Sequence, residues 1–179
     1  MSLPERLKPI KVSRTTMKKK LELLEQITIK IDNGANENDN DLNSMMNNWN
    51  EGVANSCEYS DFRDYNSWTS AKEFTRIAFN YCKYIEDLTY GELISIIDFI
   101  CSAEGKESEQ SYALNLLEEN FQANPSDLIY WPDEWFNNDE VDDLSTAEIA
   151  AYLMEKSNRK LSNAPEVVLK YLIPERVDD

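Results

Sequence analysis

Apolar side chains recur at helical spacing in six stretches of the chain. Met17, Leu21, Leu24, Ile27 and Ile31 share one face, which predicts a helix over 15–31. Its end, Ile27-Thr28-Ile29-Lys30-Ile31, also alternates and admits a strand. Residues 32–40 are rich in Asn, Asp and Gly and read as a loop. Leu42, Met45, Met46, Trp49 and Val53 fall at i, i+3, i+4, i+7 and i+11, the spacing of a core stripe. A third helix begins at Ser70 and carries Phe74, Ile77, Ala78, Tyr81 and Ile85. A fourth follows Thr89 with Leu93, Ile94, Ile97, Ile100 and Cys101. The fifth starts near Ser108, carries Leu114, Leu117 and Phe121, and must stop before Asn124-Pro125, because a residue ahead of proline avoids the α region. The sixth starts at Ser145 with Ile149, Tyr152 and Leu153.

Three of these starts have capping-box spacing: Ser70 with Glu73, Thr89 with Glu92, and Ser145 with Glu148. Between the fifth and sixth helices, Pro125 and Pro132 leave room for one turn of helix. An acidic loop over 133–143 holds an exposed-looking Trp135-Phe136, and residues 165–172 suit one last short helix. With only 4 Gly and 6 Pro in 179 residues, the fold class read from the chain is all-α.

The charge divides the chain. Residues 1–86 carry 13 acidic and 12 basic side chains, net −1, whereas residues 87–162 carry 17 and 4, net −13. Residues 163–179 are net −2. The expected organisation is therefore a near-neutral helical module over 1–86, an acidic one over 87–162 and a tail over 163–179. A weak internal likeness supports a repeat: Leu42–Trp49 resembles Leu114–Phe121 in order and polarity, and Ser60-Asp61 and Ser126-Asp127 follow. The first module is either a diverged duplicate of the second or an unrelated helical module.

The acidity argues against direct nucleic-acid binding through phosphates and against a polybasic membrane attachment. The chain has no histidine, which removes Ser-His-Asp and Cys-His catalysis and His-containing zinc sites. Cys57, Cys82 and Cys101 lack metal or disulfide spacing and read as reduced, part-buried thiols. Asp39-Asn40-Asp41 begins like a calcium loop, but Ser44 and Asn50 stand where Gly and Glu are needed. No glycine-rich phosphate loop occurs. No catalytic residue, cofactor or metal is expected. Leu3-Pro4-Glu5-Arg6-Leu7-Lys8 has no apolar core of a signal peptide, and no apolar run spans a membrane, so a cytoplasmic location is expected.

The informative segment is Ser126-Asp127-Leu128-Ile129-Tyr130-Trp131-Pro132. Two aromatics with polar edges and one carboxylate on a rigid turn make a protein-binding anchor. The alternative is that Leu128, Tyr130 and Trp131 are all core of a tight turn.

Over about 87–160 the chain resembles the immunity proteins of nuclease colicins and pyocins. The likeness runs through Asp87-Leu88-Thr89-Tyr90-Gly91-Glu92-Leu93, Phe99-Ile100-Cys101-Ser102-Ala103-Glu104, the Ser108-Glu109 helix start, the Ser126–Pro132 segment and Ser145-Thr146-Ala147-Glu148-Ile149. The resemblance implies a small four-helix bundle whose third helix is one short turn. It also implies a partner, the basic DNase domain of a co-produced toxin, which such proteins hold inactive from beside the active site. Carried onto this chain, the anchor residues are Asp127, Tyr130 and Trp131. The variable, specificity-setting face of the second helix is Ser111, Leu114, Asn115 and Glu118. Trp131 replaces the family's second tyrosine, the loop before the anchor turn is shorter, and the loop before the last helix is longer. Thr146 stands where the family tends to have proline, and the last helix lacks the family's tryptophan-arginine end. The leading expectation is a nuclease-toxin immunity protein. The rival expectation is a helical protein–protein adaptor that keeps the immunity fold without a nuclease partner.

Overall fold

A computed structural model describes residues 2–80 and 82–175. Among them are nine α-helices, two 3-10 turns and no strand, so the chain is all-α. The helices are α1 (Arg14–Asp32), α2 (Asn40–Asn50), α3 (Tyr59–Asp64), α4 (Ala71–Phe79), α5 (Tyr90–Cys101), α6 (Glu107–Asn120), α7 (Pro125–Tyr130), α8 (Pro132–Phe136) and α9 (Thr146–Lys156). They form two compact units. One is Pro9–Tyr81, and the other joins Met1–Lys8 to Cys82–Asp179.

In the 9–81 unit, α1 is continuous through 27–31, so the alternation there belongs to a helix and not to a strand. Its core is aromatic. Trp49 stands edge-on to Phe62 at 5.1 Å and stacks on Phe74 at 5.5 Å, and Tyr65 stacks on Phe74 from 4.7 Å. Leu24, Ile27 and Leu42 are buried beside them. The Trp49 indole N–H donates to the Lys20 carbonyl at 3.1 Å, so the buried ring leaves no polar atom unmet. Asp39 caps α2 by accepting from the Leu42 N–H at 2.8 Å, which is the use the chain makes of its calcium-loop-like run.

The expected division at 86/87 falls instead at 81/82, and residues 1–8 belong with the acidic unit. The reason is burial: Leu3 and Leu7 sit in the same core as Leu93, Ile97, Leu117 and Leu153. Ile85, expected on the third helix, is buried in that core too, because α4 ends at Phe79. Tyr81, expected on the same stripe, lies outside the described residues. Arg6 reinforces the attachment with Asp87 at 3.0 Å and with the Glu92 carboxylate at 2.5 Å.

In this unit α5 is the central element and packs on α6 and α9. The boxes at Thr89/Glu92 and Ser145/Glu148 close in both directions, as their spacing predicts. A buried Asn120 ties three segments together. Its amide donates to the Lys83 carbonyl at 3.0 Å and the Leu116 carbonyl at 2.8 Å, while its oxygen accepts from the Ile85 N–H at 2.8 Å. Residues 165–172 form no helix; Leu169, Tyr171 and Ile173 lie against the core.

Each unit runs long helix, second helix, short third helix, further short turn, capped last helix. In each, the first helix packs on the second and on the last. The letter match of 42–49 with 114–121 is nevertheless one residue away from the match in burial. Buried Leu42, Met46 and Trp49 correspond to buried Ala113, Leu117 and Asn120. Polar letters tolerate that shift, and core positions do not.

Candidate protein-binding surface

The turn over 125–132 is fixed from both ends. Asn124 takes the left-handed conformation at φ 49°, which reverses the chain out of α6, and Pro125 opens α7 with its φ already helical. Leu128 is fully buried and pins the middle of α7. The Trp131 N–H returns to the Asp127 carbonyl at 2.8 Å. Pro132 then opens α8, whose Trp135 N–H reaches the Trp131 carbonyl at 2.9 Å.

Trp135 and Phe136 are not an exposed pair on a loop. They belong to α8, and Phe136 is buried. The Trp135 indole donates to the Ala123 carbonyl at 2.8 Å, across the foot of the turn. Phe136 meets the Tyr152 ring edge-on at 4.7 Å. Two apolar side chains placed after a proline are thus spent on holding the turn, which is why the letters alone suggest an exposed patch.

With Leu128 inside, Tyr130 and Trp131 are left outside, 51% and 59% exposed. Asp127 is exposed beside them, as are Asp133 and Glu134 in the first turn of α8. The reading in which all three apolar side chains of the turn are core holds for Leu128 only. Part-burial raises the Tyr130 phenol above its ordinary pKa, with a smaller contribution from the nearby Cys101 thiol at the end of α5. Tyr130 therefore stays a neutral hydrogen-bond donor at physiological pH. Beyond α8, Asp139, Glu140, Asp142 and Asp143 are exposed, and buried Val141 anchors that acidic stretch.

Of the expected α6 residues, Asn115 is exposed, whereas Ser111 and Leu114 are half-buried and Leu114 packs against the core. Glu118 acts locally, since its carboxylate accepts from the Ser126 N–H at 3.2 Å, at the start of α7. A carboxylate there meets unpaired helix N–H groups and the positive end of the helix. It thereby ties α6 to the turn over 125–132.

The cysteines do not form a reactive set. Burial pushes the Cys57 and Cys82 thiols up to about 12 and raises Cys101 as well, so all three are thiols at neutral pH. No group of three or more Cys, Asp or Glu side chains among the described residues is placed to hold a metal ion. No helix among them is long and apolar enough to cross a membrane. Exposed aromatics also occur elsewhere: Trp68 in the 9–81 unit, and Tyr84, which stacks under the Arg159 guanidinium at 4.3 Å. Sequence periodicity does not reveal these, because single exposed aromatics have no spacing to detect.

Comparison with protein-family models, with curated proteins and with solved structures finds no match.

Proposed function

We infer that this chain is an immunity protein of bacteriocin type, which binds and inhibits the basic nuclease domain of a toxin in the cytoplasm of the producing cell. The observation that carries this reading is the Tyr130–Trp131 pair, more than half exposed on a turn pinned at both ends and flanked by Asp127, Asp133 and Glu134. Rigid aromatics lose little entropy on binding, and surrounding carboxylates steer a basic partner. The order of helices around the turn supports the same reading, since α5, α6, short α7 and α9 follow the pattern that the resemblance implies. Inhibition then follows from bulk and from the −13 charge of residues 87–162, which keeps DNA away from the bound enzyme.

The test is capture of partners from the source cell at moderate salt, with Asp127→Ala/Tyr130→Ala alongside wild type, and then a nuclease assay on what is captured. Recovery of a basic nuclease by wild type alone, and its inhibition on adding the protein, supports the reading. Equal recovery by both forms removes the assigned site. A second reading, a helical adaptor, is favoured by exposed Trp68 on the near-neutral 9–81 unit, a surface the immunity role does not use. Partners lost on Trp68→Ala and not on the double substitution would select it.

A further inference from the structure

The chain after α9 is tied back onto that helix. Lys170 pairs with Glu148 at 3.0 Å, the Tyr171 N–H donates to the Tyr152 hydroxyl at 2.9 Å, and the Lys156 ammonium donates to the Pro174 carbonyl. Glu148, Tyr152 and Lys156 are spaced by four and so share one face of α9. Leu169, Tyr171 and Ile173 lie against the core, while Val168 and Leu172 stay in solvent. The segment is therefore a strap, fastened to α9 at three successive turns.

The same face of α9 meets α8. Phe136 stands edge-on to the Tyr152 ring at 4.7 Å and lies 5.4 Å from the Tyr171 ring. Trp135 is 6.1 Å from the Tyr152 ring, and the Lys156 ammonium is 5.9 Å from the centre of the indole. Tyr152 and Lys156 thus each meet α8 and hold the strap.

The five residues of α8 and the six of α7 are too few for either helix to persist alone. Their order comes from packing, which Leu128 supplies for α7, and Trp135 and Phe136 for α8. Trp131 joins the two. Its N–H bonds back into α7 and its carbonyl accepts from α8, while its own side chain is exposed. The backbone that presents Trp131 is therefore held from the α8 side by aromatics that the strap covers.

We propose that the strap positions the turn over 125–132, with Tyr171 as the positioning residue. The Tyr171 ring holds Phe136, Phe136 holds α8, and α8 holds the backbone of Trp131. That this turn binds a partner rests on the reading above; the coupling of strap to turn does not. A turn loosened at α8 would have to be ordered on association, which weakens binding without removing any contacting residue.

NMR relaxation dispersion on the full chain tests this at the Trp131 amide and at the Trp135 indole, which donates to the Ala123 carbonyl. Tyr171→Ala should add microsecond-to-millisecond exchange at both and leave the α5 amides as in wild type. Tyr171→Phe keeps the ring and should keep the wild-type profile. A loss of overall stability alone would reach α5 as much as the turn, or neither. If circular dichroism shows that Tyr171→Ala does not fold, Tyr152→Phe makes the same test, since it keeps both rings and takes from the strap its hydroxyl partner. Three results overturn the proposal: no added exchange at Trp131 and Trp135 in the folded variant, equal exchange across α5, or the same exchange in Tyr171→Phe. Unchanged partner capture by Asp127→Ala/Tyr130→Ala would instead remove the binding reading and leave the coupling standing.

Discussion

The Asn120 side-chain oxygen accepts from the Arg159 guanidinium at 2.9 Å, so the end of α6 and the segment after α9 meet on one buried amide. Arg159 also donates to the Asn120 backbone carbonyl at 3.0 Å and to the Ile85 carbonyl. With its bonds to Lys83, Ile85 and Leu116, Asn120 uses all its hydrogen-bonding capacity away from water. Asn120→Ala would strand the buried Ile85 N–H and take a partner from the Lys83 carbonyl and from the Arg159 guanidinium. A buried unpaired group costs about 1–3 kcal/mol, so a loss of that order is expected. Chemical denaturation measures it; a loss near that of an ordinary surface substitution would show that water replaces the amide.

Leu7 and Arg6 both attach residues 1–8, by different means. Leu7 is 3% exposed, and Leu7→Ala removes buried apolar volume, so a loss of about 3 kcal/mol is expected. Arg6 makes its ion pairs in solvent, where exchange with water cancels most of the attraction. Arg6→Ala should therefore cost much less. Denaturation of the two variants side by side ranks the contributions, and the reverse order would mean that charge, not burial, holds the segment.

Stability should fall in acid through Glu92 and Glu148. Both carboxyls are held down at about 2, Glu92 chiefly by the Arg6 guanidinium and Glu148 chiefly by the Ser145 N–H. A depressed folded-state pKa stabilises above the unfolded value of 4.5 and stops doing so as pH falls towards about 2. The thermal midpoint should thus drop between those limits, and Glu92→Gln with Glu148→Gln should flatten the drop. An unchanged slope in that double variant would place the acid sensitivity elsewhere.

For the proposed toxin complex, loss of Asp127 and Tyr130 together should weaken binding by more than about 2 kcal/mol while circular dichroism stays that of wild type. Association should also slow as salt rises, because steering is screened beyond about 10 Å at about 0.1 M ionic strength. Stopped-flow rates across ionic strength measure this. A flat dependence would separate the carboxylates from the encounter step.

The helices are legible in the sequence where physics is local. Ser70, Thr89 and Ser145 announce their helix starts because a cap is satisfied within one turn. The short α7 is legible for the same reason: prolines at 125 and 132 act on their immediate neighbours. What escapes reading depends on contacts distant in sequence. Nothing within residues 1–8 says that Leu3 and Leu7 complete a core built from residues after 82. Trp135 looks free in the sequence because its partner, the Ala123 carbonyl, lies across the turn. Residues 165–172 suit a helix in the sequence but form none, since Tyr152 offers the Tyr171 backbone a hydroxyl and Leu169 and Tyr171 lie against the core. The letter likeness of α2 and α6 misses the buried register by one residue, because it weighs Asn and Glu equally with Leu.

The placement of residues 1–8 has a consequence for how the molecule is made. They leave the ribosome before the 9–81 unit, yet the core they complete is synthesised after it. The 9–81 unit can close on itself in the meantime, since the Ile10 N–H meets the Asn80 side chain at 3.1 Å near its two ends. Domains generally fold as units as they emerge. Residues 1–8 therefore wait for the segment after 82 before they find their place, and until then a growing chain shows Leu3 and Leu7 to the chaperones and proteases of the cell.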